Sequence, residues 1–276
     1  MEYYVGLNEI IDKIEDNLTE EINYNDLAKI IGTSGYTLQR IFCFLTGITL
    51  TNYIRKRRLS NAGEDLLLKN EKIIDLAIKY GYNSEEAFSR AFQKMYGMNP
   101  SDIKKGTASL RSFPKIVFKK VENDIKELEF RIIEKPEQCF YGISSGVILE
   151  EDKEAIKSFW NDCIKDGTYD FIKDNSDSKE LFYSAYKYVD PDNACEKMKY
   201  YILGKKKRSD FEEFIIPKAT WVAFRINSWE SKDISELAST IYTKWFPTSS
   251  YNEILPLPDL EIYYDGYCEY CVAVEN

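Results

Sequence analysis

Residues 32–47 read GTSGYTLQRIFCFLTG, and residues 81–97 read GYNSEEAFSRAFQKMYG. Nothing else in the chain limits its fold as tightly, because the two stretches are copies of one another. Asp26-Leu27-Ala28 and Gly32 match Asp75-Leu76-Ala77 and Gly81 at an offset of 49. One extra residue in the second copy moves the offset to 50, where Ser34, Arg40, Phe42 and Gly47 match Ser84, Arg90, Phe92 and Gly97. A register held over so many residue types is not chance. Two copies are too few for a solenoid, so the repeat is a duplicated supersecondary unit.

Each copy predicts helix, turn, helix. Asn25 is placed to cap the first helix, NDLAKII, and Gly32 to end it. Ser34 then caps a second helix with a buried stripe of Leu38, Ile41, Phe42 and Leu45 at i, i+3, i+4, i+7. Its opposite face carries Tyr36, Gln39, Arg40 and Cys43, expected to look outward. In the second copy Ser84 caps, Phe88, Ala91, Phe92 and Met95 form the stripe, and Glu86, Arg90 and Gln93 or Lys94 look outward. Two helices joined by a short glycine-containing turn are the unit whose second helix enters the DNA major groove. There Arg suits bidentate contact with guanine, and Gln with adenine.

Between the copies, residues 50–69 (LTNYIRKRRLSNAGEDLLLK) keep helical periodicity and contain no proline. Twenty helical residues span about 30 Å, close to the about 34 Å between successive major-groove faces on one side of B-DNA. A connector of that length could hold both reading helices on one DNA face. Its basic run, Arg55-Lys56-Arg57-Arg58, is either a solvated face or a set of phosphate contacts.

With these motifs on the page, residues 8–105 resemble the DNA-binding domain of the AraC/XylS family of transcription regulators. The most specific stretch is IIDLAIKYGYNSEEAFSRAFQKMYGMNPSDIKK. The resemblance implies double-stranded promoter DNA as a partner, with Tyr36, Thr37, Gln39 and Arg40 meeting one groove. It places Glu86 and Arg90 where the second helix meets the next, and it implies contact with RNA polymerase. Glu85-Glu86 departs from this picture: carboxylates favour a helix N-terminus but repel phosphate. The second unit then reads weakly, or Glu86 accepts from cytosine. Thr37 and Glu86 also fit as plain surface side chains.

The second half reads differently. GTASLRSF at 106–113 suits a linker, and PKIVF at 114–118 a short strand within it. The expected domains are 1–106, a linker over 107–124, and 125–276. After residue 125, EFRIIE and FYGISSG read as strands, EEDKEAIKSFWNDCIKD as a helix, then LFYSAYKYV and KMKYYILG as strands. ATWVAFRI, DISELASTIYTKWF, LEIYYDG and YCEYCVAV repeat that order. The expected fold is thus an all-α N-terminal domain of two helix-turn-helix units joined by a long helix, followed by an α+β domain of two tandem β-α-β-β units. Two helices would flank a shared groove.

This half resembles the GyrI-like, or Rob-type, effector-binding domain, through IPKATWVAF, KWFPTSSY, LPDLEIYYDG and YCEYCVAVEN. The resemblance implies a pocket between the pseudo-repeats. Glu261 falls where an acidic ligand contact is often kept, with Trp160, Tyr183 and Trp221 as candidate aromatic walls. A carboxylate among aromatic faces suits a flat or hydrophobic cation, to which cation–π contact adds about 0.5–2 kcal/mol. Glu261 could instead be an exposed strand residue.

Composition excludes more than it adds. The chain has no His, so Ser-His-Asp, Cys-His and His-metal chemistry are all closed to it. Cys268 and Cys271 are a lone C-x-x-C, expected to be two partly buried strand cysteines rather than a metal site. No metal, cofactor or catalytic residue is implied. The net charge of −9 hides an asymmetry: residues 25–105 hold 13 Lys+Arg against 8 Asp+Glu. The repeated region is basic, as DNA binding needs. No membrane span and no signal peptide are read, so the expected location is the cytoplasm. A regulator sensing a small hydrophobic or cationic aromatic effector is the leading reading, rather than an enzyme. The rivals make the second half a small-molecule hydrolase, with Glu261 as base and a Tyr as acid, or a protein-binding module. Oligomeric state, operator and effector identity stay open.

Overall fold

A computed structural model describes residues 3–69, 71–104, 110, 112–119, 128–149, 152–176, 179–189, 197–254 and 256–275. Of the expected linker 107–124, residues 107–109, 111 and 120–124 lie outside the described residues. The chain gathers into two units, one of Met1–Gly35 with Ile48–Glu122, the other of Tyr36–Gly47 with Asn123–Asn276. Among the described residues seven α-helices come first: α1 (Tyr3–Asp16), α2 (Tyr24–Ala28), α3 (Gly35–Thr46), α4 (Leu50–Leu68), α5 (Ile73–Lys79), α6 (Glu85–Tyr96) and α7 (Pro100–Lys104). From Tyr36 onward α3 falls in the second unit.

The repeat is visible in the backbone. Gly32 and Gly81, which match in sequence, sit at φ 68° and 80°; Gly47 and Gly97 sit at 71° and 72°. All four hold the left-handed conformation that stops a helix and that only glycine adopts freely. Ser84 caps α6 as expected, accepting from the Ala87 N–H at 3.1 Å. Asn25 does not cap α2. Asn23 does, accepting from the Asn25 and Asp26 N–H groups, while Asn25 Oδ1 accepts from the Gly35 N–H at 3.1 Å and ties the turn together. Around α4 packs a core of Leu59, Ala62 and Leu66 with Leu76 and Ala77 of α5, Phe88 and Phe92 of α6, and Ile103 of α7.

The basic run of α4 is partly committed inside the unit. Arg57 forms a bidentate pair with Glu15, with N–O distances of 2.7–3.0 Å, and also donates to the Phe113 carbonyl. Arg58 donates to the carbonyls of Leu18 and Glu20, both at 2.7 Å. Residues 114–118 are not a strand. The segment is paired to a side chain instead: Phe118 N–H donates to Asn8 Oδ1 and Asn8 Nδ2 donates to Phe118 O, both at 2.8 Å.

Asp65 closes the junction of α4 and α5. Its carboxylate accepts from Lys69 Nζ and Lys79 Nζ, each at 2.6 Å, and from the Tyr80 hydroxyl at 2.9 Å. Burial alone would raise this carboxyl, but the three donors outweigh it and hold it at about 2. A depressed carboxyl stabilises the fold above its ordinary pKa, and that stabilisation is lost as pH falls through about 2. Asp65→Asn is expected to cost about 1–2 kcal/mol at neutral pH after solvent screening and to flatten the acid limb of a stability-versus-pH curve. An unchanged limb in chemical denaturation would refute this role.

Among the described residues of the second unit, nine strands form one antiparallel sheet. The core strands are β2 (Gln138–Leu149), β3 (Phe182–Tyr188), β4 (Lys197–Gly204), β6 (Ala219–Ile226), β8 (Asp259–Tyr264) and β9 (Tyr267–Glu275). They run β6-β9-β8-β3-β4-β2, with β1 (Phe130–Lys135) outside β6 and β5 (Glu212–Ile216) outside β2; β7 (Asn252–Glu253) pairs with β9. The order is palindromic. It is the expected pair of β-α-β-β units, joined back to back at β3 and β8. α8 (Lys153–Lys165) and α9 (Thr168–Asp174) fill the first crossover, α10 (Ser231–Thr240) the second. After α10 the chain widens into a π-turn, Ile241–Trp245. β5 and α9 were not read from the sequence: EEFII has two carboxylates in five residues, and α9 follows α8 after only a Gly167 turn.

Strand alternation divides the sheet into two faces. One is a dry core of Tyr183, Ala185, Tyr201, Leu203, Trp221, Ala223, Leu260, Ile262, Cys271 and their neighbours. The other carries Phe182, Ser184 and Tyr186 on β3 and Asp259, Glu261 and Tyr263 on β8, which pair across the strands. Trp160 of α8 and Trp245 of the π-turn pack on this second face, against Phe182 and Phe224.

Candidate functional site

Glu261 lies at the centre of that second face, directly opposite Ser184, and is 2% exposed. Burying a carboxylate is costly unless hydrogen bonds replace its water. Tyr186 Oη donates to Oε1 at 2.7 Å, and Tyr263 Oη to Oε2 at 2.7 Å. Tyr200 Oη accepts from Trp160 Nε1 at 3.1 Å. Its one proton has two acceptors in reach, Ser184 Oγ at 2.8 Å and Glu261 Oε2 at 3.3 Å. Burial raises the Glu261 carboxyl above its ordinary value, and the tyrosine donors pull it back in part. Burial, then the neighbouring charge of Glu261, pushes all three phenols well up, so they stay protonated donors. Among the described residues no Lys or Arg is paired with Glu261. The result is a buried carboxylate held by neutral hydroxyls, with aromatic rings around it.

A second acidic pair lies beside it. Asp259 shares the face with Glu261, two residues back on β8, and Glu253 sits on β7. Between them lies the guanidinium of Arg40, from α3, only 1% exposed. Nη1 donates to Tyr242 Oη at 2.5 Å, Glu253 Oε1 at 2.7 Å and Asp259 Oδ1 at 3.3 Å; Nη2 donates to Asp259 Oδ2. Tyr270 Oη also donates to Asp259 Oδ2, at 2.5 Å, and Thr37 Oγ1 to Glu253 Oε2, at 3.2 Å. The guanidinium carbon is 3.9 Å from the Tyr242 ring centre and 5.1 Å from that of Tyr188. Phe44 stacks on Tyr242, centroids 5.2 Å apart and 11° from parallel. Burial pushes Glu253 up to about 6 against the pull of Arg40.

The expected site residues therefore fall in four places. Trp160 joins Glu261 through Tyr200. Tyr183 and Trp221 do not: both belong to the dry core on the opposite face. Tyr183 directly precedes Ser184, the partner of Glu261, and a one-residue step on a strand crosses the sheet. Tyr36, Thr37, Gln39 and Arg40 are all buried, so this face of α3 is not outward as expected. In the second copy the outward reading is met, and Glu86 and Arg90 are exposed. The Glu86 carboxyl is held low by N–H and hydroxyl donors at the helix start, then by Arg90. Sequence reading missed Tyr200, Asp259, Glu253, Tyr242 and Tyr270. The Asp-Leu-Glu alternation of β8 was the available signal, because it puts two acids on one face. Cys268 and Cys271 are both fully buried, on opposite faces of β9, with their thiols pushed up by burial. Among the described residues no cluster could hold a metal ion, and no helix is long and apolar enough to cross a membrane.

Residues 128–276 match the GyrI-like small molecule binding domain, and residues 27–106 match a helix-turn-helix domain of the AraC type. The chain belongs to the AraC-type helix-turn-helix regulators that carry a C-terminal GyrI-like small molecule binding domain. Over 100 residues it is 40% identical to the HTH-type transcriptional regulator YbfP of Bacillus subtilis, an alignment covering 36% of this chain and 34% of YbfP. Over 98 residues it is 36% identical to regulatory protein SoxS of Escherichia coli, covering 36% of this chain and 92% of SoxS. A structure of SAV2435 bound to tetraphenylphosphonium matches with a TM-score of 0.46 at 13% identity, covering 54% of this chain and 94% of that one.

Proposed function

We propose that this protein is a ligand-responsive transcription regulator that binds promoter DNA and contacts RNA polymerase, and that its second unit binds a lipophilic, flat organic cation at Glu261 without turning it over. The observation that supports this best is the buried Glu261 carboxylate, ringed by tyrosine hydroxyls and lacking a counter-cation among the described residues. A cation entering beside it would gain both the charge and the ring faces. A ligand acts on DNA binding only through a difference in affinity between two states.

The test is anisotropy of the full chain on a fragment of its own upstream region, across a salt series, with and without rhodamine 6G as a planar lipophilic cation. Affinity should fall steeply with salt, as phosphate neutralisation demands, and rhodamine 6G should shift it. Arg90→Ala should weaken specific binding about tenfold, for a base contact worth about 1–3 kcal/mol. Sequence-independent binding under every condition would overturn the regulator reading, and conversion of the cation to a product would overturn the receptor reading.

A further inference from the structure

Glu253 and Asp259 together hold one buried guanidinium, that of Arg40. The guanidinium carbon lies 3.9 Å from the Tyr242 ring centre and 5.1 Å from that of Tyr188, and the two carboxylates also accept from Tyr270 and Thr37. The present occupant fits the pair incompletely: Arg40 Nε is buried and finds no hydrogen-bond partner among the described residues. A buried donor left unsatisfied is a liability for the contact that buries it. An aryl amidinium would present the same two nitrogens to Asp259 and Glu253, and ring carbon where Arg40 has the orphaned N–H. Nor does the helix-turn-helix require this burial, since Arg90, the matching residue of α6, is exposed.

We propose that Glu253, Asp259, Tyr242 and Tyr188 form an amidinium and guanidinium site next to Glu261, that residues 36–46 are its built-in occupant through Arg40, and that an external aryl amidinium enters by displacing that helix. This rests on reading the second unit as a receptor for cations, but it concerns different residues from Glu261. Exchange of the occupant breaks the contacts of Arg40 and Thr37 with Asp259 and Glu253.

The test uses benzamidine and the full chain. By calorimetry, Arg40→Ala should bind benzamidine at least tenfold more tightly than the unaltered protein. Adding Asp259→Asn should abolish that gain, and adding Glu261→Gln should leave it. Equal affinity in Arg40→Ala and the unaltered protein, or a gain that survives Asp259→Asn, overturns the proposal. Should Arg40→Ala not fold, hydrogen exchange on the unaltered chain decides. Benzamidine, titrated to its solubility limit, should speed exchange of the amides of residues 36–46, and unchanged exchange overturns the proposal. Loss of rhodamine 6G binding in Glu261→Gln is a separate readout, so the two cation sites stand or fall apart from each other.

Discussion

Glu261→Gln in the full chain is expected to weaken rhodamine 6G binding about ten- to a hundredfold, the factor that about 1.5–3 kcal/mol for a contact to a charged group produces. The substitution keeps the shape of the side chain and one acceptor oxygen, for Tyr186 or Tyr263; it removes the charge and turns the other oxygen into an amide donor. Thermal stability should hold or rise, because a buried charge without a counter-cation opposes folding. The same carboxyl sets a pH dependence. Burial raises it above the ordinary 4.5, so it protonates, and cation affinity falls, at a higher pH than an exposed glutamate would give. For the unliganded fold the sign is opposite. A carboxyl raised in the native state favours that state at low pH, and this contribution is lost as pH rises through its native value. Affinity and unliganded stability should therefore move in opposite directions as pH falls toward the range of Glu261. Dye titration and thermal melts over one pH series would show it. Equal affinity of Glu261→Gln and the unaltered protein would end the case for Glu261 as the anchor.

Gly142→Ala should be the most damaging small substitution in the sheet. Gly142 lies where β2 is paired on both sides, to Leu203 of β4 and Glu212 of β5. A Cβ there would sit 1.9 Å from the Ile202 carbonyl oxygen and 3.0 Å from the Leu203 Cα. Both are backbone atoms of the paired strand, so neither can turn aside as a side chain would. The ladder must open instead. We expect a loss of about 4 kcal/mol or more, in the range reserved for disrupted cores and ladders, against a total of about 5–15 kcal/mol for a domain. Rhodamine 6G binding should vanish with it. Gly146→Ala is the control on the same strand: its φ of 71° strains an alanine, but nothing lies within 4 Å of the new carbon. That change should cost about 1–2 kcal/mol, the ordinary left-handed penalty. Melts of comparable midpoint for the two variants would show that β2 shifts to accommodate the methyl group.

Features that depend on local pattern were legible in the sequence. The duplicated unit announced itself through residues that recur for backbone reasons, the glycines and the capping Ser84. The tandem β-α-β-β order followed from period-two alternation interrupted by helical stretches. The failures share a cause. Tyr183 and Trp221 are aromatic, close in sequence to the right strands, and on the wrong face. Only the pairing of Ser184 with Glu261 fixes which face is which, and no local window contains that register. The burial of Arg40 is less local still, since its partners lie between residues 188 and 259. An amphipathic helix shows that one side is covered; it does not show whether something distant covers the other. Asn23 taking the place of Asn25 is a smaller case, two residues of one type both able to cap.

The palindromic strand order has a consequence for how any occupant must lie. Counted from the first residue of each strand, Ser184 and Glu261 hold the same place on β3 and β8 and also face each other. They straddle a local dyad. Tyr186 and Tyr263 are likewise equivalent, and both donate to the same carboxylate. A cradle built twice over would welcome a guest in two orientations related by half a turn. The acid stands on one half only, and its counterpart is a serine. The duplication thus supplies a symmetric frame, and one unmatched side chain gives it polarity, so that a singly charged guest has one way round.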